Sequence, residues 1–309
     1  TGGTNGVELG GLFNIDKKDV KYMQAAGIFN VVGGKLTGLQ LAGISNTVLD
    51  TVTGFQVAGI NNFVKGNFRG LQMAGIYNHI TDSLSGVQAA GIGNFANKKV
   101  SGLQIAGIVN FSNKQTAGVQ VAGIVNYSTK LRGLQVGLIN IVDTSEGFSF
   151  GLINIVLHGY HKLSISTNEV MNINVAYKTG NSKFYSILIG GWNAKSADTV
   201  YSFGYGLGSE LALNKRKTIS INPELSAQYL YLGSWNYNNL LSKFTLNFNV
   251  KLTKKISLFA GPAFNLYASD QTVGFNGYRF PVPPPDYKTY NWSNNLTAWI
   301  GWNAGINFF

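Results

Sequence analysis

The chain has 309 residues, of which 45% are hydrophobic and only 12% charged, with 39 Gly, 6 Pro and no Cys. The charged share is about half that of an ordinary soluble domain, no apolar run reaches the ~18 residues of a membrane-spanning helix, and the lack of Cys excludes disulfides and thiolate metal sites. Lys and Arg outnumber Asp and Glu by 24 to 13, for a formal charge of +11, and this glycine-rich, aromatic-rich, weakly charged composition points to β-structure.

The two halves differ. Of the 39 Gly, 26 lie in residues 1–157, whereas all five Trp lie after that point. We therefore expect two domains, 1–157 and 158–309. The first is an internal repeat. GLQLAGISN at 38–46 recurs as GFQVAGINN at 54–62, GLQMAGIYN at 70–78, GVQAAGIGN at 86–94, GLQIAGIVN at 102–110 and GVQVAGIVN at 118–126, each starting 16 residues after the last. Weaker copies on the same phase stand at 6–14 and 22–30, and shortened copies at 133–140 and 147–154. Two Gly per unit, with β-branched residues between, argue against helix.

A unit of this length cannot hold a transmembrane hairpin, which needs two strands of about 9–11 residues. The favoured reading is one coil of a parallel β-solenoid per unit. Gln40, Gln56, Gln72, Gln88, Gln104 and Gln120 then stack in register, as do Asn46, Asn62, Asn78, Asn94, Asn110 and Asn126, so that amide ladders satisfy their own hydrogen bonds. In one coil the expected buried set is Val100, Leu103, Ile105, Ile108 and Asn110, with chain corners at Gly102 and at Ala106-Gly107. Lys98, Lys99, Lys114 and Lys130 fall in the remaining, solvated corner. The alternative is one strand per unit, adding ten strands to a single antiparallel barrel of about 18.

After Tyr160 the pattern becomes alternating strands, read at 160–167, 169–178, 182–193, 200–212, 217–232, 240–252, 256–268 and 297–309. Phe244, Leu246, Phe248, Val250 and Leu252 alternate with Thr245, Asn247, Asn249 and Lys251, as a barrel wall in lipid requires. Phe203, Tyr205 and Leu207 alternate with Gly204, Gly206 and Gly208, small residues suited to a narrow interior. Three connections are short and basic: 178–183, 212–217 and 252–255. The others include AKSADT at 194–199, GSWNYNN at 233–239 and a 28-residue segment, 269–296. That segment holds PVPPPD at 281–286, which cannot enter a sheet.

With FGYGLGSELAL at 203–213, ISLFAGPAFNLY at 256–267 and the terminal strand TAWIGWNAGINFF, residues 160–309 resemble the eight-stranded, porin-family (OmpA-like) outer-membrane barrels of Gram-negative bacteria. Residues 6–156 are similar to the GLQ-x-(A)-G-[LI]-x-N surface repeats of some bacterial outer-membrane proteins. The terminal strand departs from the family pattern: Ile300, Trp302, Ala304, Ile306 and Phe308 form its apolar set, out of phase with Phe309. The resemblance implies a bacterial outer-membrane location.

Little in the chain suggests chemistry. His79 occupies a slot held elsewhere by Phe63, Phe95 and Phe111, and reads as a substituted aromatic. His158 and His161, near Ser164 and Ser166, lack an oxyanion motif and a partner carboxylate. Glu210, Glu224 and Lys251 point into the barrel on this strand reading, where buried charges need partners, so an internal salt-bridge network is expected. No catalytic residue, cofactor or metal site is assigned. The expectation is a non-enzymatic outer-membrane scaffold or partner-binding component. Its expected partners are outer-membrane lipid and other outer-membrane or periplasmic proteins, not nucleic acid. The alternatives are a porin-like channel with a basic lumen and a lipid-modifying barrel enzyme.

Overall fold

The structure, a computed structural model, describes residues 2–193, 200–271, 282–293 and 295–309. It is all-β and divides into two compact units between His158 and Gly159. The loop read at 194–199 and the start of PVPPPD lie outside the described residues.

The first unit is a parallel β-solenoid of ten coils. A typical coil holds a seven-residue strand such as Leu36–Ala42 and a four-residue strand such as Ser45–Val48. Each strand pairs in parallel with its copies one coil away, Gly38 with Gly54 and Asn46 with Asn62. Parallel pairing excludes the single antiparallel barrel of about 18 strands. The Ala-Gly-Ile corner is stacked as well: Ile44 N–H donates to Ile28 O at 2.9 Å and Ile60 N–H to Ile44 O at 2.9 Å. This stacking explains the glycine. A Cβ on Gly59 would stand 2.1 Å from Gly43 O, and one on Gly54, at φ +140°, would stand 1.9 Å from Gly38 O.

The expected buried set is corrected in part. Val100 and Asn110 are inside, but Leu103 is half-exposed and Ile105 and Ile108 are exposed, while Gln104 and Ala106 are buried. Gly102 is no corner. It lies within the strand Val100–Ala106, whose inward positions alternate as Val100, Gln104 and Ala106 without a break. The second corner is the charged one, near Lys98 and Lys99. Two apolar sets compete for the inside of a narrow coil, and the set that wins leaves room for amides. The enclosed space therefore has two zones. An apolar strip, including Val20, Leu36, Val52, Phe68 and Leu84, lies toward the charged corner. The Gln and Asn rows lie toward the Ala-Gly-Ile corner.

The second unit is a closed antiparallel barrel of eight strands: Tyr160–Asn168, Ile173–Asn181, Phe184–Asn193, Val200–Gly208, Ile219–Tyr231, Asn239–Lys251, Ile256–Ser269 and Leu296–Phe308. The last pairs with the first, Leu163 opposite Phe308 and Asn168 opposite Asn303, which removes both edges. The alternation follows the expected faces: Phe203, Leu225, Phe244, Phe248, Ile300 and Trp302 are exposed outside, and Ser202, Asn222, Thr245, Asn247 and Asn307 are buried inside. Gly208 makes room for a neighbour, since a Cβ there would stand 2.5 Å from the buried Tyr185 ring.

Three local readings change. The second strand begins at Ile173 rather than 169 and runs to Asn181, so Lys178 sits in the wall, not in a turn. The strand read to 212 ends at Gly208, and Leu211–Ala212 forms a separate short pairing. Thr289–Ser293, read as loop, is a short strand that pairs with Leu296–Phe308 beyond the reach of the first strand.

Candidate functional site

Two arrangements stand out: the amide ladders of the solenoid and the charged interior of the barrel. Gln40, Gln56, Gln72, Gln88, Gln104 and Gln120 are fully buried. Each donates from Nε2 to Oε1 of the Gln one coil nearer the N-terminus, at 2.7–2.9 Å. Asn46, Asn62, Asn78, Asn94, Asn110 and Asn126 are also fully buried but donate the other way. Asn46 Nδ2 reaches Asn62 Oδ1 at 2.9 Å and Val57 O at 2.8 Å, so both its hydrogens are used. The two ladders thus run antiparallel in donor direction. Each amide is satisfied without water, which removes the cost of burying it.

The ladders extend past the residues expected. Asn14 and Asn30 precede the Asn row, Asn140 and Asn154 follow it, and Gln24 and Gln135 extend the Gln row. At the N-terminal end the Gln donor meets carboxylates: Gln24 Nε2 donates to Glu8 Oε2 and to Asp16 Oδ2, both at 2.9 Å. Glu8 stands where later coils carry Gln. Partial burial, then the neighbouring Asp16, raise its carboxyl pKa above the usual value.

In the barrel, Glu210, Glu224 and Lys251 all point inward, and the structure brings further groups to them. Glu210 pairs with Lys162 at 2.5 Å and with Lys251 at 3.6 Å. Glu224 pairs with Lys178 and accepts the Tyr185 hydroxyl at 2.7 Å. Both clusters lie toward the short-turn end. Toward the other end Glu169 faces Lys243 at 3.6 Å. Glu169 also accepts from Asn265 Nδ2 at 3.0 Å, Trp299 Nε1 at 3.2 Å and the Trp302 backbone N–H at 3.0 Å. Gly301 is needed here, because a Cβ would stand 2.4 Å from the Glu169 carboxylate. Beside this pair an apolar cluster, with Met171, Val200, Leu230, Leu241 and Trp299, fills the barrel end. Between the layers a polar cavity of about 30 Å³ remains, lined by Ser166, Lys178, Glu224, Gln228 and Lys243 among others. Such a volume holds about two waters.

Lys162, Lys178, Lys243 and Glu169 escaped the sequence reading. Lys243 is in phase with Thr245, Asn247 and Asn249, a signal that extending the alternation by one step recovers. Glu169 carries no such signal, because it lies outside any strand.

The histidines sit apart from these networks. His79 stands in the outward aromatic row, edge-on to Phe63 with centroids 5.4 Å apart. His161 stacks on Tyr177 and lies 3.1 Å from its hydroxyl. His158 donates its backbone N–H to Asp143 O at 2.8 Å. Among the described residues no group of three or more His, Asp or Glu side chains could hold a metal.

No family model, no curated protein and no solved structure matches this chain.

Proposed function

We propose that this chain is a non-enzymatic protein of a bacterial outer membrane, whose barrel is a closed transmembrane anchor and whose solenoid is a rigid scaffold. The observation that carries the reading is the sorting of the barrel wall. Aliphatic and aromatic side chains face outward on every strand, and the ion pairs face inward, where among the described residues they and an apolar cluster surround a cavity of about 30 Å³. An apolar exterior suits lipid, and an eight-stranded interior filled by side chains suits an anchor rather than a pore. The likeness of 203–213, 256–267 and the terminal strand to OmpA-like barrels supports an outer-membrane location. The wide basic channel would need ten antiparallel strands from the repeats, which pair in parallel.

Reconstitution in planar bilayers tests the anchor. We expect no large conductance, and a stable, anion-selective open channel would overturn the reading. Cross-linking in native membranes tests the scaffold: recovery of the chain only as a monomer would remove that half of the proposal.

A further inference from the structure

The surface of the solenoid is as sharply sorted as that of the barrel. From the first Gly position of each repeat to the residue after its Asn, as in 38–47 or 102–111, the ten coils carry one charged residue, Glu8, and its side chain meets Gln24 at the ladder end. The remaining charges of residues 1–157 fall between that segment and the next repeat. One long edge of the solenoid is therefore charged and the opposite edge is not.

The uncharged edge is aliphatic and open. Its corner row runs from Leu12 and Ile28, at every sixteenth residue to Ile124, then to Leu138 and Leu152, and all ten side chains are 37–60% exposed. Exposed Phe55, Met73, Ile105 and Phe150 flank it. Nine steps of about 4.8 Å make the row roughly 43 Å long. At a breadth of about 10 Å, a row of that length presents on the order of 400 Å², the scale of the largest and often functional apolar patch of a monomer.

The order of residue types away from this edge identifies what covers it. Beyond the Ile row, three residues on, five successive coils present the outward row Phe63, His79, Phe95, Phe111 and Tyr127, with neighbouring rings in contact, and the flanking coils place Ile15, Val31, Thr47, Ile141 and Ile155 there. Beyond the rings comes the charged corner, with Lys65, Lys98, Lys114 and Lys130 and, at the same level, Asp50 and Asp82, the latter paired with Lys98. Aliphatic, aromatic, then charged with a basic excess is the sequence of chemistries met on leaving a bilayer. Three residues at about 3.3 Å each give a depth near 10 Å, matching the 5–10 Å to which interfacial elements sink. A protein-binding surface would instead centre on Trp, Tyr and Arg anchors. The corner row has none of these.

We infer that the solenoid is an amphipathic membrane element: its Ala-Gly-Ile edge is immersed in the acyl chains of one leaflet, with the solenoid axis along the membrane plane. This rests on the reading of the chain as a membrane protein. The occupant is lipid, and a second copy or another protein on this edge is the competing outcome.

The chain has no native Cys, so full-length single-cysteine variants can carry an environment-sensitive fluorophore. We would label Ile76→Cys on the corner row, Lys98→Cys on the charged edge and Phe244→Cys on the barrel wall. Each would be reconstituted in phosphatidylethanolamine–phosphatidylglycerol vesicles with and without nitroxide-chain lipid. We expect blue-shifted emission and about twofold quenching at positions 76 and 244 and neither at 98. Quenching at 244 but not at 76 overturns the inference and leaves the barrel reading intact. Quenching at neither position overturns both. A blue-shifted but unquenched label at 76 means protein covers the edge, and this too overturns the inference. In a second variant, Ile76→Lys and Ile92→Lys join a label at Ile108→Cys. These side chains point outward, so the β-signal should persist while quenching at 108 is lost. Retained quenching would overturn the inference.

Discussion

In the solenoid, Gln72 donates to Gln56 and accepts from Gln88, copies of itself one coil away. In the barrel, Glu224 finds Lys178 across 46 positions and Tyr185 across 39. Both units bury polar groups and turn apolar ones outward. In the solenoid, however, the ladder partners between the capping carboxylates and the last coil are supplied by repetition, whereas in the barrel each pair is unique. A repeat can bury neutral amides at each step because the neighbour above and the neighbour below bring the complementary halves. The closed wall without repeats joins neutral pairs such as Asn307 with Asn249 to ion pairs of opposite sign, and removing one partner of an ion pair leaves the other stranded.

That contrast can be broken by mutation. The largest effect is expected from Gly70→Ala, where a Cβ would stand 1.9 Å from Gly54 O at φ +133°. No side-chain motion relieves a backbone overlap, so the loss should be on the order of 5 kcal/mol. It should appear in circular dichroism as a solenoid that melts early. Next, Glu224→Leu should cost the barrel about 3–5 kcal/mol by leaving Lys178 buried and unpaired. The double change with Lys178→Met should recover most of it, read as urea midpoints in micelles. Gln72→Leu should be milder, about 2–3 kcal/mol, for an orphaned acceptor on Gln56 and an orphaned donor on Gln88. Equal loss from Gln72→Leu and Glu224→Leu would erase the distinction between the units.

Two smaller effects sharpen it at the solenoid's first coils. Tyr22 occupies a position that is Gly in the other full repeats and has φ 87°. Tyr22→Gly should therefore stabilise the unit by up to about 1 kcal/mol in thermal melting. The raised pKa of Glu8 means that the folded state holds this proton more tightly than the unfolded chain. Its contribution to stability is then complete below the ordinary carboxyl pKa and declines as pH rises through the raised value. Melting at pH 4 and pH 7 should reveal a small loss at the higher pH, absent in Glu8→Gln.

Much of the fold is legible because repetition is visible without coordinates. A 16-residue translation puts Gln on Gln and Asn on Asn in any parallel stack, and the alternation in 244–252 assigns the barrel wall. The hidden parts have physical causes. Lys178 falls at the start of the short basic connection read at 178–183, and Lys162 lies in the short strand read at 160–167, where no clear polar face marks it. Trp299 shares its residue type with the outward Trp302, yet it is fully buried over Glu169.

By itself the sequence determined the β-character, the 16-residue repeat and the faces of the barrel strands, since all of these are periodicities, but it left coil and single strand both open for each repeat, and parallel pairing decided for the coil. Only the tertiary structure decided which face of the coil is enclosed. Leu103 and Ile105 alternate with Gln104 under either choice, and apolar character alone favours the wrong one. Gln104 goes inside because Gln88 and Gln120 stand above and below to satisfy it. The pairing of Glu169 with Lys243 was likewise decided by chain closure, which brings together residues that no local pattern connects.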